Sequence, residues 1–380
     1  MKVLQIVKTN RGATWAFNQA NWLFKNDVDI VTVLPDNNSG YANLYKSNGM
    51  RVIASDWSLP IKQPWLFIKR VKEIKRIILQ EKPDIIHLHF VTNVIMTRLA
   101  LHNDKTIRLF QVPGPLHLEN SLFRILDKAL STNVDYWAGA CEKTCEIYRD
   151  MGINENKIFL AYYGTFKDEF CSFQNNNILH NEFGINKQSI IVSMISYFYK
   201  PKRFLGQKRG LKGHEDFIDA MEIVINKHPN VIPMVIGNAW DGSEDYEKEV
   251  IKYADKKLKG KMIFTGYRND VQKIYPEINI AVHPSHSENL GGAAESLAYG
   301  VPTITTNVGG FPDIIKNYKT GLLCNAKKPK ELADAIIWMI EHPYEAKQMG
   351  QEGEKLVRSL LNINSTSNQI LNIYKRIIKI

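Results

Sequence analysis

A chain of 380 residues with 44% hydrophobic content can bury a large core, and its length favours two domains over one. Its formal charge of +10 implies attraction to something anionic: a nucleic acid, an acidic membrane surface or a phosphorylated small molecule. No run approaches the roughly 18 to 20 apolar residues needed to cross a bilayer. The opening MKVLQIVKTN lacks a signal-peptide apolar region and cleavage site, so the expected compartment is the cytoplasm.

Short β-branched runs recur along the first half: VLQIV (3 to 7), IVTVL (30 to 34), RVIAS (51 to 55), IIHLH (85 to 89), RLFQV (108 to 112), YWAGA (136 to 140) and IFLAYY (158 to 163). Amphipathic helical stretches separate most of them, and strands alternating with helices argue a parallel sheet covered on both faces. From 164 to 187 the periodicity weakens around an Asn cluster, which reads as an interdomain connection with its linker at 171–187. A second series follows with IIVSMIS (190 to 196), IPMVIG (232 to 237), MIFTGY (262 to 267), IAVHP (280 to 284), TITTN (303 to 307) and GLLC (321 to 324). After Cys324 the pattern is helical to the end. The fold class is therefore α/β, with two doubly wound domains, and in such sheets ligands sit beyond the carboxyl ends of the strands.

Several chemical possibilities are set aside on spacing. The four cysteines, Cys141, Cys145, Cys171 and Cys324, are too few and scattered for a disulfide framework, and no second pair follows Cys141 and Cys145 at zinc-site spacing. Asp27-Val28-Asp29 has the form of a metal-binding DxD but precedes a strand instead of ending one, and reads as a turn. His87 and His89 alternate on one strand face without a third ligand, so hydrogen-bonded structural histidines are expected.

The strongest chemical signal begins at His283-Pro284-Ser285 and continues ENLGGAAESLAYGVPTITTN: strand, glycine-containing loop, helix, strand. Leu290, Gly291 and Gly292 open the helix, so free backbone amides and the helix dipole face whatever sits at the strand end, an arrangement suited to a diphosphate. Glu288 precedes the glycines and Glu295 lies one turn inside the helix, placing a carboxylate on either side of that site. Carboxylates accept hydrogen bonds from hydroxyls, which sugar and ribose rings carry densely.

On these residues the chain resembles the retaining glycosyltransferases of family 4, over nearly its whole length. The resemblance implies the GT-B architecture, two Rossmann-like domains facing across a cleft. Residues 1–170 would form an acceptor-side domain and 188–362 the nucleotide-sugar domain, with a C-terminal helix, 363–380, crossing back to the first. It implies that Glu295 binds the ribose and Glu288 the transferred hexose, with Asn289 in the same element. In KRFLGQKRGLKGHEDFIDA, Lys212 before Gly213 resembles the family's diphosphate-binding lysine. Relatives carry a Gly-Arg loop where Ser196-Tyr197 stand here; Arg203 or Arg209 would supply the missing charge, and spacing does not choose between them. FTGYRNDV (264 to 271) resembles the nucleobase loop, with Arg268. Asn10-Arg11-Gly12 replaces a Gly-Gly loop, leaving close approach to phosphate to Gly12, and His117 stands near a histidine that relatives place beside the transferred sugar.

The implied reaction is a retaining transfer without metal or other cofactor, the nucleoside-diphosphate sugar being a co-substrate. Its catalytic residues would be Glu288, Lys212 and His117, and its acceptor a glycan or a polyprenyl-diphosphate-linked glycan of bacterial surface polysaccharide synthesis. The stretch 64–82 is a basic amphipathic helix, with Trp65, Ile68, Val71 and Ile74 or Ile78 along its apolar stripe; it suits peripheral contact with the anionic inner face of a membrane, and is also the pattern of any surface helix packed on a sheet. No nucleic-acid-binding motif occurs, so no nucleic acid partner is expected. The rival readings are a sugar-nucleotide epimerase of the same architecture and a non-catalytic nucleotide-sugar-binding relative.

Overall fold

A computed structural model of the chain describes residues 1–167, 174–203 and 207–379. It divides into two compact units, Met1–Asp168 with Leu360–Ile380, and Glu169–Ser359. Cys171 lies outside the described residues.

The first unit is a seven-stranded parallel sheet. Its strands are β1 (Lys2–Ile6), β2 (Asp29–Leu34), β3 (Arg51–Ala54), β4 (Ile85–Leu88), β5 (Ile107–Val112), β6 (Asp135–Gly139) and β7 (Ile158–Leu160), in the order β3-β2-β1-β4-β5-β6-β7. Between them run α1 (Thr14–Lys25), α2 (Tyr41–Ser47), α3 (Phe67–Glu81), α4 (Val91–Ala100), α5 (Ser121–Ala129) and α6 (Glu142–Asp150). Strand residues alternate between two apolar layers, as a sheet buried on both faces requires. Val3, Ile30, Ile85 and Leu109 join Ala16, Phe17 and Leu23 of α1, whereas Leu4, Val31, Ile86 and Phe110 join Ile74, Ile77 and Ile78 of α3 and Val94 and Met96 of α4. Beneath the carboxyl ends of β4 and β5, His87 bonds Tyr374 and His89 bonds Tyr163 and Gln5, all of them buried.

The second unit is a six-stranded parallel sheet in the order β10-β9-β8-β11-β12-β13. The strands are β8 (Ile190–Ile195), β9 (Val231–Ile236), β10 (Ile263–Phe264), β11 (Ile280–His283), β12 (Thr303–Thr306) and β13 (Leu322–Cys324). Its helices are α7 (Ile178–Phe183), α8 (His214–Lys227), α9 (Glu244–Leu258), α10 (Val271–Ile274), α11 (Gly291–Ala298), α12 (Phe311–Ile314), α13 (Pro329–Glu341) and α14 (Pro343–Leu360). Val192, Met194 and Val235 face α8, α9 and α13; Ile191, Met234 and Ile236 face α7 and the residues around α10.

Two local readings change with the structure. The stretch read as linker contains α7, whose first amides, those of Ile178, Leu179 and His180, donate to the buried Glu277 carboxylate; a helix this short has no periodicity to detect, and its cap lies about a hundred residues away in sequence. The apolar stripe of the 64–82 helix divides: a turn of 3-10 helix at Pro64–Leu66 precedes α3, Ile74 and Ile78 are buried, and Trp65 and Ile68 are 72% and 61% exposed. The final helix, α15 (Ile363–Ile378), is part of the first unit, burying Ile370, Ile373, Tyr374 and Ile377 against α1, with a Trp22 Nε1 to Asn364 Oδ1 bond of 2.9 Å.

Candidate active site

In the second unit the strand ends and helix starts gather the residues that the glycine-containing loop announced. β11 ends at His283, which is buried; its Nε2 meets Ser296 Oγ of α11 at 2.9 Å. The turn between them carries Glu288, Asn289 and Leu290, and α11 begins at Gly291 with no side chain capping its first amides among the described residues. Gly291 has φ +45°, and a Cβ there would lie 2.9 Å from the Glu288 carboxylate carbon. A Cβ on Gly292 would lie 3.0 Å from the His283 ring and 3.2 Å from the Ile195 carbonyl oxygen. Two glycines are thus needed for the helix start to sit directly on the ends of β8 and β11 with its amides bare.

Lys212 enters from the loop before α8. Gly213 follows with φ +78°, and its missing side chain leaves room for the Pro284 carbonyl, 2.1 Å from where a Cβ would stand. That contact locks the Lys212 turn to the β11 loop. The Lys212 ammonium forms an ion pair with Glu288, both side chains about one fifth exposed or less, and lies 5.6 Å from the centre of the Tyr199 ring. Burial alone would lower the Lys212 pKa, but the Glu288 carboxylate beside it raises it above the ordinary range, so the amine stays charged. Burial, reinforced by the Lys212 charge, drives the His283 and His214 imidazoles down to about 3, so both are neutral near pH 7. His214 stacks on Phe198 at 4.1 Å.

Glu295, one turn into α11, accepts from the Tyr275 hydroxyl at 3.3 Å, and Tyr275 stacks on Tyr299. Desolvation raises the Glu295 carboxyl above its usual range although the residue keeps an exposed surface.

The three expected arginines are engaged elsewhere. Arg203 pairs with Glu249 at 3.3 Å on an exposed surface. Arg209 binds Asp216 and Asp219, with His286 on the other Asp216 oxygen at 2.5 Å. Arg268, only 10% exposed, forks to Asp270 and Glu182 at 2.8 Å. In the first unit Gly12 lies in the loop between β1 and α1 with φ +71°. His117 closes a 3-10 turn after β5, its Nε2 3.6 Å from Asp127, which is buried with Arg98.

Tyr199 and Tyr275 were not singled out in the sequence, and His283 only as the start of the glycine-containing motif. Tyr199 had a readable signal, the period-2 continuation of a strand; Tyr275 reaches Glu295 only through the fold. Chemically, the cluster offers one lasting positive charge and a set of free amides to an anion, and two carboxylates to hydroxyl groups.

Residues 203–356 match the family model described as glycosyl transferases group 1, and residues 2–111 the one described as glycosyl transferase 4-like. The capsular polysaccharide biosynthesis glycosyltransferase CapM of Staphylococcus aureus is 23% identical, the alignment spanning 100% of this chain and 98% of that protein. The Escherichia coli UDP-Gal:alpha-D-GlcNAc-diphosphoundecaprenol alpha-1,3-galactosyltransferase is 23% identical over 71% of this chain and 70% of its own length. Among solved structures, HepE of Anabaena in complex with UDP and glucose superposes with a TM-score of 0.80 at 16% identity, covering 99% of both chains.

Proposed function

This chain belongs to the group 1, family 4-like glycosyltransferases and has their GT-B fold, and from that premise we propose the reaction it carries out. It moves a sugar from a nucleoside-diphosphate sugar to a hydroxyl of a glycan or lipid-linked glycan, with retention of configuration and without metal, in surface polysaccharide synthesis. One observation carries this reading: the Lys212–Glu288 pair set at the uncapped start of α11. The amides and the ammonium take the diphosphate, and Glu288 takes the hydroxyls of the sugar next to it.

As the bond from the anomeric carbon to the diphosphate breaks, negative charge grows on the leaving oxygen. Lys212 and the α11 amides stabilise it without reorganising. The acceptor hydroxyl bonds to the anomeric carbon from the same face, and its proton passes to the departing diphosphate. Glu295, on the other side of the α11 start, takes the ribose hydroxyls in this reading. CapM and the E. coli galactosyltransferase support a polysaccharide or lipid-linked acceptor by their names.

The test is product analysis with a panel of nucleotide sugars and acceptors in the presence of a chelator. Transfer with the donor's anomeric configuration kept supports the reading. Release of nucleotide with an epimerised free sugar from donor alone indicates an epimerase, and binding without turnover a non-catalytic relative.

Peripheral membrane contact belongs to the same proposal, supported by Trp65, Ile68 and Leu79 standing exposed among Lys69, Lys72, Lys75 and Arg76 on α3 and the turn before it. No helix among the described residues is long and apolar enough to cross a membrane. Co-sedimentation with vesicles containing phosphatidylglycerol, lost in Trp65→Ser, checks it.

A further inference from the structure

The Lys212–Glu288 pair joins two loops, residues 207–213 before α8 and 284–290 between β11 and α11, and those loops meet at further points. The Gly213 turn closes on the Pro284 carbonyl. His286 N donates to Leu211 O at 2.8 Å, and the His286 ring Nε2 lies 2.5 Å from Oδ2 of Asp216, in the first turn of α8. Lys212 stands four residues before Asp216, and Glu288 two residues after His286. A second side-chain pair therefore runs beside the first.

Asp216 is built into this contact from both sides. Its side chain is 5% exposed, and its other oxygen, Oδ1, accepts from Arg209. Burial alone would raise the Asp216 carboxyl pKa, but the bonds from His286 and Arg209 hold it below the ordinary range. It is thus an ionised acceptor, and the His286 ring nitrogen is the donor. Arg209 has a second carboxylate in Asp219, at 2.7 Å, so its charge is met without Asp216. The stem of the Lys212 loop is anchored separately. Glu215 accepts from Gly210 N at 3.3 Å and from the Tyr246 hydroxyl at 2.9 Å, and a Cβ on Gly210 would lie 2.0 Å from that hydroxyl oxygen. What the Asp216–His286 bond adds is a tie from this stem to the loop that carries Glu288.

Such a tie counts most when the site is occupied. In the empty site the attraction of Lys212 for Glu288 itself draws the two loops together. An anion on the Lys212 ammonium and hydroxyls on Glu288 divide that attraction between protein and ligand. Spacing then depends on contacts outside the pair, and a displacement on the order of 1 Å at a reacting group can cost about 10²-fold in rate. We propose that Asp216 and His286 are positioning residues, a latch that holds Lys212 and Glu288 at their working separation while a nucleotide sugar engages both; the assignment rests on the nucleotide-sugar reading above.

Titration calorimetry on the full chain with UDP, GDP and ADP tests this, using the parent, His286→Ala, His286→Gln, Asp216→Asn, Lys212→Ala and the double variant Lys212→Ala/His286→Ala. Thermal melting checks that each folds. His286→Ala and Asp216→Asn should each weaken the preferred nucleoside diphosphate roughly tenfold, as directly coupled side chains do. His286→Gln, which keeps a donor at similar reach, should bind within about threefold of the parent. Because the latch acts through Lys212, adding His286→Ala to Lys212→Ala should change affinity less than about twofold. Affinity unchanged in both His286→Ala and Asp216→Asn overturns the latch. So does a loss from His286→Ala that is as large in the Lys212→Ala background, since that would mark a structural contact independent of the lysine. A His286→Gln variant as weak as His286→Ala also overturns it, by removing the hydrogen bond from the account. A parent that binds none of the three nucleoside diphosphates overturns the functional reading itself, and the latch with it.

Discussion

Replacing Lys212 by alanine separates catalysis from folding at the centre of the site. The change removes the only cation paired with Glu288 among the described residues, and leaves a carboxylate 17% exposed without its partner. A fully buried pair broken in this way costs about 3–5 kcal/mol and an exposed pair under about 1 kcal/mol. With both groups about four fifths covered, a loss of about 2 kcal/mol is expected. For a unit of this size that lowers the melting temperature by roughly 4–8 °C, leaving the chain folded at 25 °C. The catalytic loss is larger. One preorganised charge at the leaving group supplies about 2.7–4 kcal/mol of transition-state stabilisation, so kcat should fall roughly 10²–10³-fold. Single-turnover transfer from a saturating nucleotide sugar, with melting curves alongside, reads both. A folded variant with kcat within about threefold of the parent would refute the role given to Lys212.

The other expectations follow from burial and contact. Gly292→Ala puts a methyl against the His283 ring and the Ile195 carbonyl; it should cost about 1–2 kcal/mol in urea denaturation and weaken nucleoside-diphosphate binding measured by calorimetry. Asp127→Ala leaves the buried Arg98 short of one carboxylate and the Tyr148 hydroxyl and Trp137 indole without theirs, so the urea midpoint should drop by an amount equivalent to about 3 kcal/mol. His87, His214 and His283 have folded pKa values near 3, below the ordinary 6.5, so between those values the unfolded chain binds protons that the native chain does not. Their contribution to stability is full above about pH 6.5 and declines as pH falls towards 3, by up to about 1.4 kcal/mol per pH unit for each histidine. Urea midpoints should therefore fall between about pH 7.5 and pH 5, and a flat profile would show that these rings are protonated in the folded state.

The α/β architecture was legible from local sequence because parallel strands buried on both faces are continuous apolar runs. Each of β1 to β13 falls within one residue of a run seen in the sequence, apart from the ends of β7 and β10. β10 is an edge strand that pairs at two positions only, so its apolar run outlasts its partner. The glycine pair at the start of α11 and the acids on either side of it, Glu288 and Glu295, were legible too, since a helix start bare of capping side chains has a composition of its own. What the tertiary structure decided was the partnership of charges. Arg203, Arg209 and Arg268 are equivalent as letters, yet Arg203 meets Glu249, Arg209 meets Asp216 and Asp219, and Arg268 meets Glu182 beside its own loop neighbour Asp270, while Lys212 alone of the expected cations is brought to Glu288. Periodicity reports which face a side chain takes, but pairing depends on which strand end lies beside which helix start. The sheet order sets that, and it leaves no trace in local spacing.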